Sequence, residues 1–280
     1  MGAHEASTAV KGRLAFARMI GSALASQALL SAANFAVGLL LIRHTSDLAY
    51  GYYILASTAI LLIVSLQSAF VNPPLVNRLT PLDRVARREL VGGLYRDQRH
   101  VLRVCGGIAF VLCALLWEAG VFDGQTGPLI LATIAATLAS MHRGFFRLVL
   151  LAYRRAHDVL LTDICYIVIL LLGVGIALFT PAPAVAAMIA IAFAAGISGA
   201  FTTGILRRHE PWDIRGAPGI LREVAPLAAW SAAGAAIHWA FSQGYMYLAA
   251  GTLDVAAVAA LAATRLLMMP VNLMSAGIGT

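Results

Sequence analysis

Charged residues are scarce in this chain: Asp, Glu, Lys and Arg make up 12% of its 280 residues, too few to coat a soluble globule of that length. Acidic residues are scarcer still, 13 against 20 Lys and Arg, which leaves a net charge of +7. That excess falls in alternate connectors rather than along one basic face, so it points away from nucleic acid. Cysteine is limited to Cys105, Cys113 and Cys165, all inside apolar stretches and without metal-ligand spacing. This excludes a disulfide framework and a metal site, and predicts three buried, reduced thiols. No phosphate-cradling loop is present either, because Gly173-Val174-Gly175 lies in the middle of an apolar run with no strand before it. Connectors on one side are too short to house an active site, so the reading is a non-enzyme with no cofactor.

What the chain has in abundance is apolar surface: 60% hydrophobic residues and a mean hydropathy of +0.83. The runs are long and lack the alternation of a barrel strand, so they predict an all-α polytopic membrane helix bundle. Spans are expected at 19–42, 50–70, 104–121, 128–151, 160–179, 184–206 and 225–250, with an eighth starting at 255 and still running at 280. Asn72-Pro73-Pro74 is expected to stop the second span. Thr80-Pro81 then reads as a helix start. Leu82, Val85, Ala86 and Leu94 share the apolar face of a helix predicted to lie on the membrane surface. Small residues every four positions, Ala192, Gly196, Ala200 and Gly204 in one span and Ala228 to Gly244 in the next, predict close helix contacts.

Orientation follows from counting. Sixteen of the Lys and Arg residues fall in the N-terminal tail, in 77–103, at Arg154-Arg155 and in 207–223, whereas the opposite side has Arg43 alone. By the positive-inside rule the N-terminus is cytoplasmic. A shift of 207 residues lays Leu41, Thr45, Asp47, Ala49, Ala56, Val64, Leu66, Ser68 and Ala69 on identical residues from Leu248 to Ala276. Spans seven and eight therefore read as a repeat of spans one and two, entering the membrane in the same direction, as in transporters built from two parallel lobes. The expected organisation is a cytoplasmic tail (1–18), a six-helix lobe (19–206), a cytoplasmic linker (207–224) and the first two helices of a second lobe (225–280).

The turn Asp47-Leu48-Ala49-Tyr50-Gly51-Tyr52-Tyr53 resembles the acidic-Tyr-Gly-x-Tyr turn of the polysaccharide and O-antigen flippases in the multidrug/oligosaccharidyl-lipid/polysaccharide exporter superfamily. Here Ala49 is inserted between the acid and the Tyr-Gly pair. The stretch from Arg143 to Arg155, with Phe145, Phe146, Tyr153 and Arg154, resembles the Arg-rich cytoplasmic end of that family's fourth helix. Residues 211–226 are similar to its inter-lobe linker. The resemblance implies a MATE-like lobe, alternating access, and export of a polyprenyl-pyrophosphate-linked oligosaccharide for surface polysaccharide or lipopolysaccharide assembly. It also implies a bacterial inner membrane location, and membrane lipids and a polysaccharide polymerase as partners. On this reading the second lobe is truncated.

Polar residues within the spans are the candidates for a site. Arg265 lies ten residues into the eighth span, about 15 Å deep, and Arg143 lies about 22 Å below the start of the fourth. A buried guanidinium normally faces protein, water or an anion. Arg265, Arg143 and Arg147 are thus candidates for holding the headgroup, with an interfacial anchor as the alternative for Arg143 and Arg147. His238, Asn34, Gln67 and Asn272 are candidates for a polar cavity wall or for bonds between helices. Glu118, near a span end where it can reach water, and Asp163, near a helix N-terminus whose dipole favours it, read as structural. They are also the acidic candidates for cation coupling, as a drug antiporter of the same superfamily would need. An inactive transporter fragment is the remaining alternative.

Overall fold

The computed structural model describes residues 2–79, 82–122, 124–209 and 219–278. Side chains are described between 19 and 266, except within those gaps and at 73, 74, 76–78, 84, 209 and 227. The protein is all-helical, a polytopic membrane bundle of eight helices among the described residues. They are α1 (Gly2–His44), α2 (Asp47–Leu79), α3 (Arg84–Glu118), α4 (Thr126–Ala152), α5 (Ala156–Ala177), α6 (Pro183–His209), α7 (Ile220–Thr252) and α8 (Val255–Ile278). The first six are long and apolar enough to cross a membrane. Helix α7 adds a seventh candidate span only as a bent pair, with Ile220–Pro226 at 68° to Ala228–Thr252, and the described apolar part of α8, Val255–Leu266, is shorter.

Helix α1 starts at Gly2, so residues 2–18 of the expected tail are helical and run on into the first span. Three expectations are corrected. Helix α2 runs through residues 73 and 74 to Leu79. Two prolines remove two ladder bonds there, and burial of Val71, Leu75 and Leu79 along one stripe offsets the loss. The expected surface helix and third span are one continuous α3, begun by the Asp83 carboxylate accepting from the Ala86 N–H at 2.8 Å. Thr80 and Pro81 lie outside the described residues, and the buried face of α3 is Leu90, Val91, Leu94 and Tyr95, with Val85 exposed. Of the three free thiols, Cys113 is buried but Cys105 is exposed.

Helix α6 is the spine of the bundle, packed on both α4 and α5. Apolar burial does not drive helices together in lipid, so close contact of small residues must do so. The face that α6 uses is Ala187, Ala194, Ala195, Ser198 and Gly199 rather than the expected stripe, whose Ala200 and Gly204 are exposed. Helices α7 and α8 pack on α1, α2 and α3 and, among the described residues, not on α4, α5 or α6. Trp239 Nε1–H donates to the Thr58 carbonyl at 2.9 Å and Tyr247 O–H to the Leu55 carbonyl at 2.8 Å, fastening α7 to α2. The Asp97 carboxylate on α3 accepts from the Gly219 and Leu221 N–H groups at 3.0 Å, which satisfies orphan donors at the start of α7.

The turns that end α1 and α7 match in local geometry. Thr45 Oγ1 donates to the Leu41 carbonyl, and Thr252 Oγ1 to the Leu248 carbonyl, each at 2.7 Å and at positions 207 residues apart. The following helix is capped by Ser46 in one case and Asp254 in the other, so the caps differ by one residue in register. Between α4 and α5, Arg154 adopts φ 57°. The bonds from Arg155 N–H to the Leu150 carbonyl and from Arg154 N–H to the Leu151 carbonyl, both 2.9 Å, make this a Schellman ending in which glycine is the usual residue. Arg154→Gly is expected to raise stability by about 1 kcal/mol, by removing the left-handed penalty, read as a higher melting temperature in detergent.

Candidate functional site

A cavity of about 370 Å³ lies among α1, α2, α4, α5, α6, α7 and α8. Its polar wall comprises Asn34, Tyr53, Ser57, Ser140, Tyr166 and Gln243 together with Arg265. Arg265 reaches it from α8, where Nη1–H donates to Gln243 Oε1. Arg265 also reaches the Ser242 carbonyl at 3.5 Å, so among the described residues both of its partners are neutral. The Ser57 hydroxyl oxygen is buried without a hydrogen-bond partner of good geometry. No carboxylate belongs to this wall among the described residues. The wall thus presents one guanidinium, several hydroxyl and amide groups and two aromatic rings to the cavity.

Behind Tyr166 lies a second polar group, from four helices. Asp163 on α5 is fully buried and accepts hydrogen bonds from Arg143 Nη2 on α4 and from Ser26 Oγ on α1. It also accepts from Arg147 Nε at 3.1 Å. Arg143 Nε–H donates to Ser198 Oγ on α6 at 3.3 Å, and Ser198 in turn donates to the Thr162 carbonyl at 2.8 Å. Two guanidiniums share one carboxylate, which leaves one positive charge in excess. The Arg143 guanidinium lies 3.9 Å from the Tyr166 ring centroid, where the ring face takes up part of that charge. Tyr166 therefore has the cavity on one side and the ion cluster on the other.

The expected site residues separate accordingly. Arg265 and Asn34 line the cavity. Arg143 and Arg147 are ion-paired to Asp163 behind its wall, with 14% and 23% of their side chains exposed. Asp163, taken as a coupling carboxylate, is the acceptor of both arginines and has no place in the cavity wall. Glu118 is exposed at the end of α3. His238 is exposed on α7 and does not line the cavity that Gln243 and Met246 of the same helix line. Gln67 is buried and donates to the Met141 carbonyl at 2.7 Å, a bond between helices rather than a ligand contact. Asn272 belongs to α8, but its side chain lies outside the described residues.

Sequence reasoning missed Tyr53, Ser57, Ser140, Tyr166 and Gln243 in the cavity, and Ser26 and Ser198 in the cluster. One signal was available for Tyr166, which follows Asp163 by three residues and so shares its helix face. Compared with known proteins, the chain matches no family model, no curated protein and no solved structure. The site therefore has to be read from its own geometry.

Proposed function

We propose that this multi-pass membrane protein is a transporter whose cargo is an anionic, sugar-bearing lipid of the polyprenyl-pyrophosphate class, moved across the cytoplasmic membrane from the basic side. The observation that carries the reading is Arg265, a guanidinium ten residues into α8 that donates to a neutral amide and lines a polar cavity with no carboxylate among the described residues. A pyrophosphate would replace the bond to Gln243 by charge-assisted ones, while Asn34, Ser57 and Ser140 meet the first sugar and the polyprenyl tail stays in lipid. At about 370 Å³ the chamber is near the lower limit of ordinary ligand sites, which span roughly 300–1,000 Å³. It suits a headgroup with one sugar, and a longer glycan would need the helices to part. Relative movement of the α1–α2 and α7–α8 hairpins, as in parallel-repeat transporters, would supply that opening.

The test is Arg265→Gln in proteoliposomes loaded with a fluorescent polyprenyl-pyrophosphate-linked sugar. Losing a hydrogen bond to a charged group is worth about 1.5–3 kcal/mol, so headgroup affinity should fall about ten- to a hundredfold. Translocation, read by quenching of label at the outer leaflet, should fall with it at an unchanged melting temperature. Undiminished translocation by this variant would overturn the assignment.

A further inference from the structure

We propose that a groove on the outer face of α3 and α4 is a binding site for an anionic phospholipid of the basic-side leaflet. The groove holds about 430 Å³ and is lined by Arg99, Arg103, Gly106, Gly107, Phe110 and Leu138 among others. The α3 members recur at intervals of three and four residues, so they form one stripe along the helix. Two arginines lie at one end of it, and two glycines lower its floor beside the apolar remainder.

Depth places Arg99 at the headgroup level and Arg103 one turn deeper, within snorkelling reach of it. With Glu118 at the far boundary, Arg103 is about 22 Å away and Arg99 about 28 Å, against a hydrocarbon core of about 30 Å. Neither arginine has a carboxylate partner among the described residues. Asp97, the nearest acid along α3, is engaged by the N–H groups of Gly219 and Leu221. Two unpaired guanidiniums above an apolar trough match a lipid phosphate above its acyl chain.

The glycines are not equivalent, and this gives the test its edge. A Cβ on Gly106 would collide with the Leu138 side chain, whereas a Cβ on Gly107 would meet nothing within 4 Å. Gly107→Leu therefore fills the trough while leaving the helix contact and both charges in place. The inference stands on the membrane placement of α3 and is independent of the cargo proposed above.

The experiment exchanges lipid onto the purified 280-residue protein from mixed micelles containing equal phosphatidylglycerol and phosphatidylcholine, and counts retained lipid by native mass spectrometry. Retention of phosphatidylglycerol in preference to phosphatidylcholine is expected. Arg99→Gln with Arg103→Gln should weaken it about tenfold or more, and Gly107→Leu should weaken it with the charges intact. The single arginine changes, on exposed or half-exposed positions, give intermediate losses. Equal retention of the two lipids, unchanged retention by Gly107→Leu, or equal stabilisation by soluble glycerol phosphate without acyl chains would each overturn the site.

Discussion

Asp163→Ala is expected to abolish the accumulation of folded protein. The substitution leaves Arg143 and Arg147 facing each other among α1, α4, α5 and α6 with no anion between them. Breaking a buried pair from one side costs about 3–5 kcal/mol, a large part of the roughly 5–15 kcal/mol that holds a typical protein folded. Asp163→Asn should fare little better, since the amide keeps the shape but not the charge. The measurement is the monodisperse fraction of detergent-extracted protein on size exclusion. A triple change, Asp163→Leu with Arg143→Met and Arg147→Met, should recover most of that fraction, because packing can replace an ion cluster once no lone charge remains. Wild-type behaviour of Asp163→Asn would show that the cluster does not hold the four helices together.

The second large effect concerns Gly51, near the start of α2. A Cβ there would run into the backbone carbonyl of Val255 in the first turn of α8. Main-chain atoms cannot rotate away as a side chain can, so Gly51→Leu should lie at or beyond the upper end of the usual 1–3 kcal/mol for overpacking, about 3 kcal/mol. The expected result is a melting temperature lowered by several degrees and loss of close approach between the α1–α2 and α7–α8 hairpins. Gly175→Leu, at a position with nothing within 4 Å, is the matched control and should leave the melting temperature unchanged. Equal melting of the two variants would remove Gly51 as a contact point between hairpins. The contact also supplies a physical reason for glycine in the Tyr50-Gly51-Tyr52 stretch, which lies within the first turns of α2 and which hydropathy alone could not explain.

The helices were legible because hydropathy and length decide them, and Arg265 was legible because an arginine ten residues into an apolar run has few alternatives. Helix continuity was less so. Proline rules stop α2 at residue 72, yet the stripe Val71, Leu75 and Leu79 finds a buried face that the rules do not count. The surface helix predicted before the third span failed for the same reason: Leu90, Val91, Leu94 and Tyr95 pack on neighbours instead of on lipid. The ion cluster could have been found by arithmetic. Arg143 and Asp163 each lie ten residues from Tyr153 at the α4–α5 turn, so an antiparallel hairpin puts them at one level. Ser26 and Ser198 could not have been found this way, since their approach depends on how α1 and α6 settle against that hairpin.

The bundle has two apolar cores, one toward each rim. One joins the ends of α2, α4 and α6 to the beginnings of α3 and α5 through residues such as Leu75, Leu94, Phe146, Val149, Val159 and Leu206, all toward the arginine-rich rim. At the opposite rim the turns surround an opening of about 390 Å³ between Ser46, Tyr52, Gln125 and Pro181. That opening sits over the larger core, with Leu41, Tyr50, Leu129, Ala177 and Ala184 among its members. The body is therefore packed toward both edges, and the polar layer of Arg143, Arg147 and Asp163 lies between two close-fitting blocks.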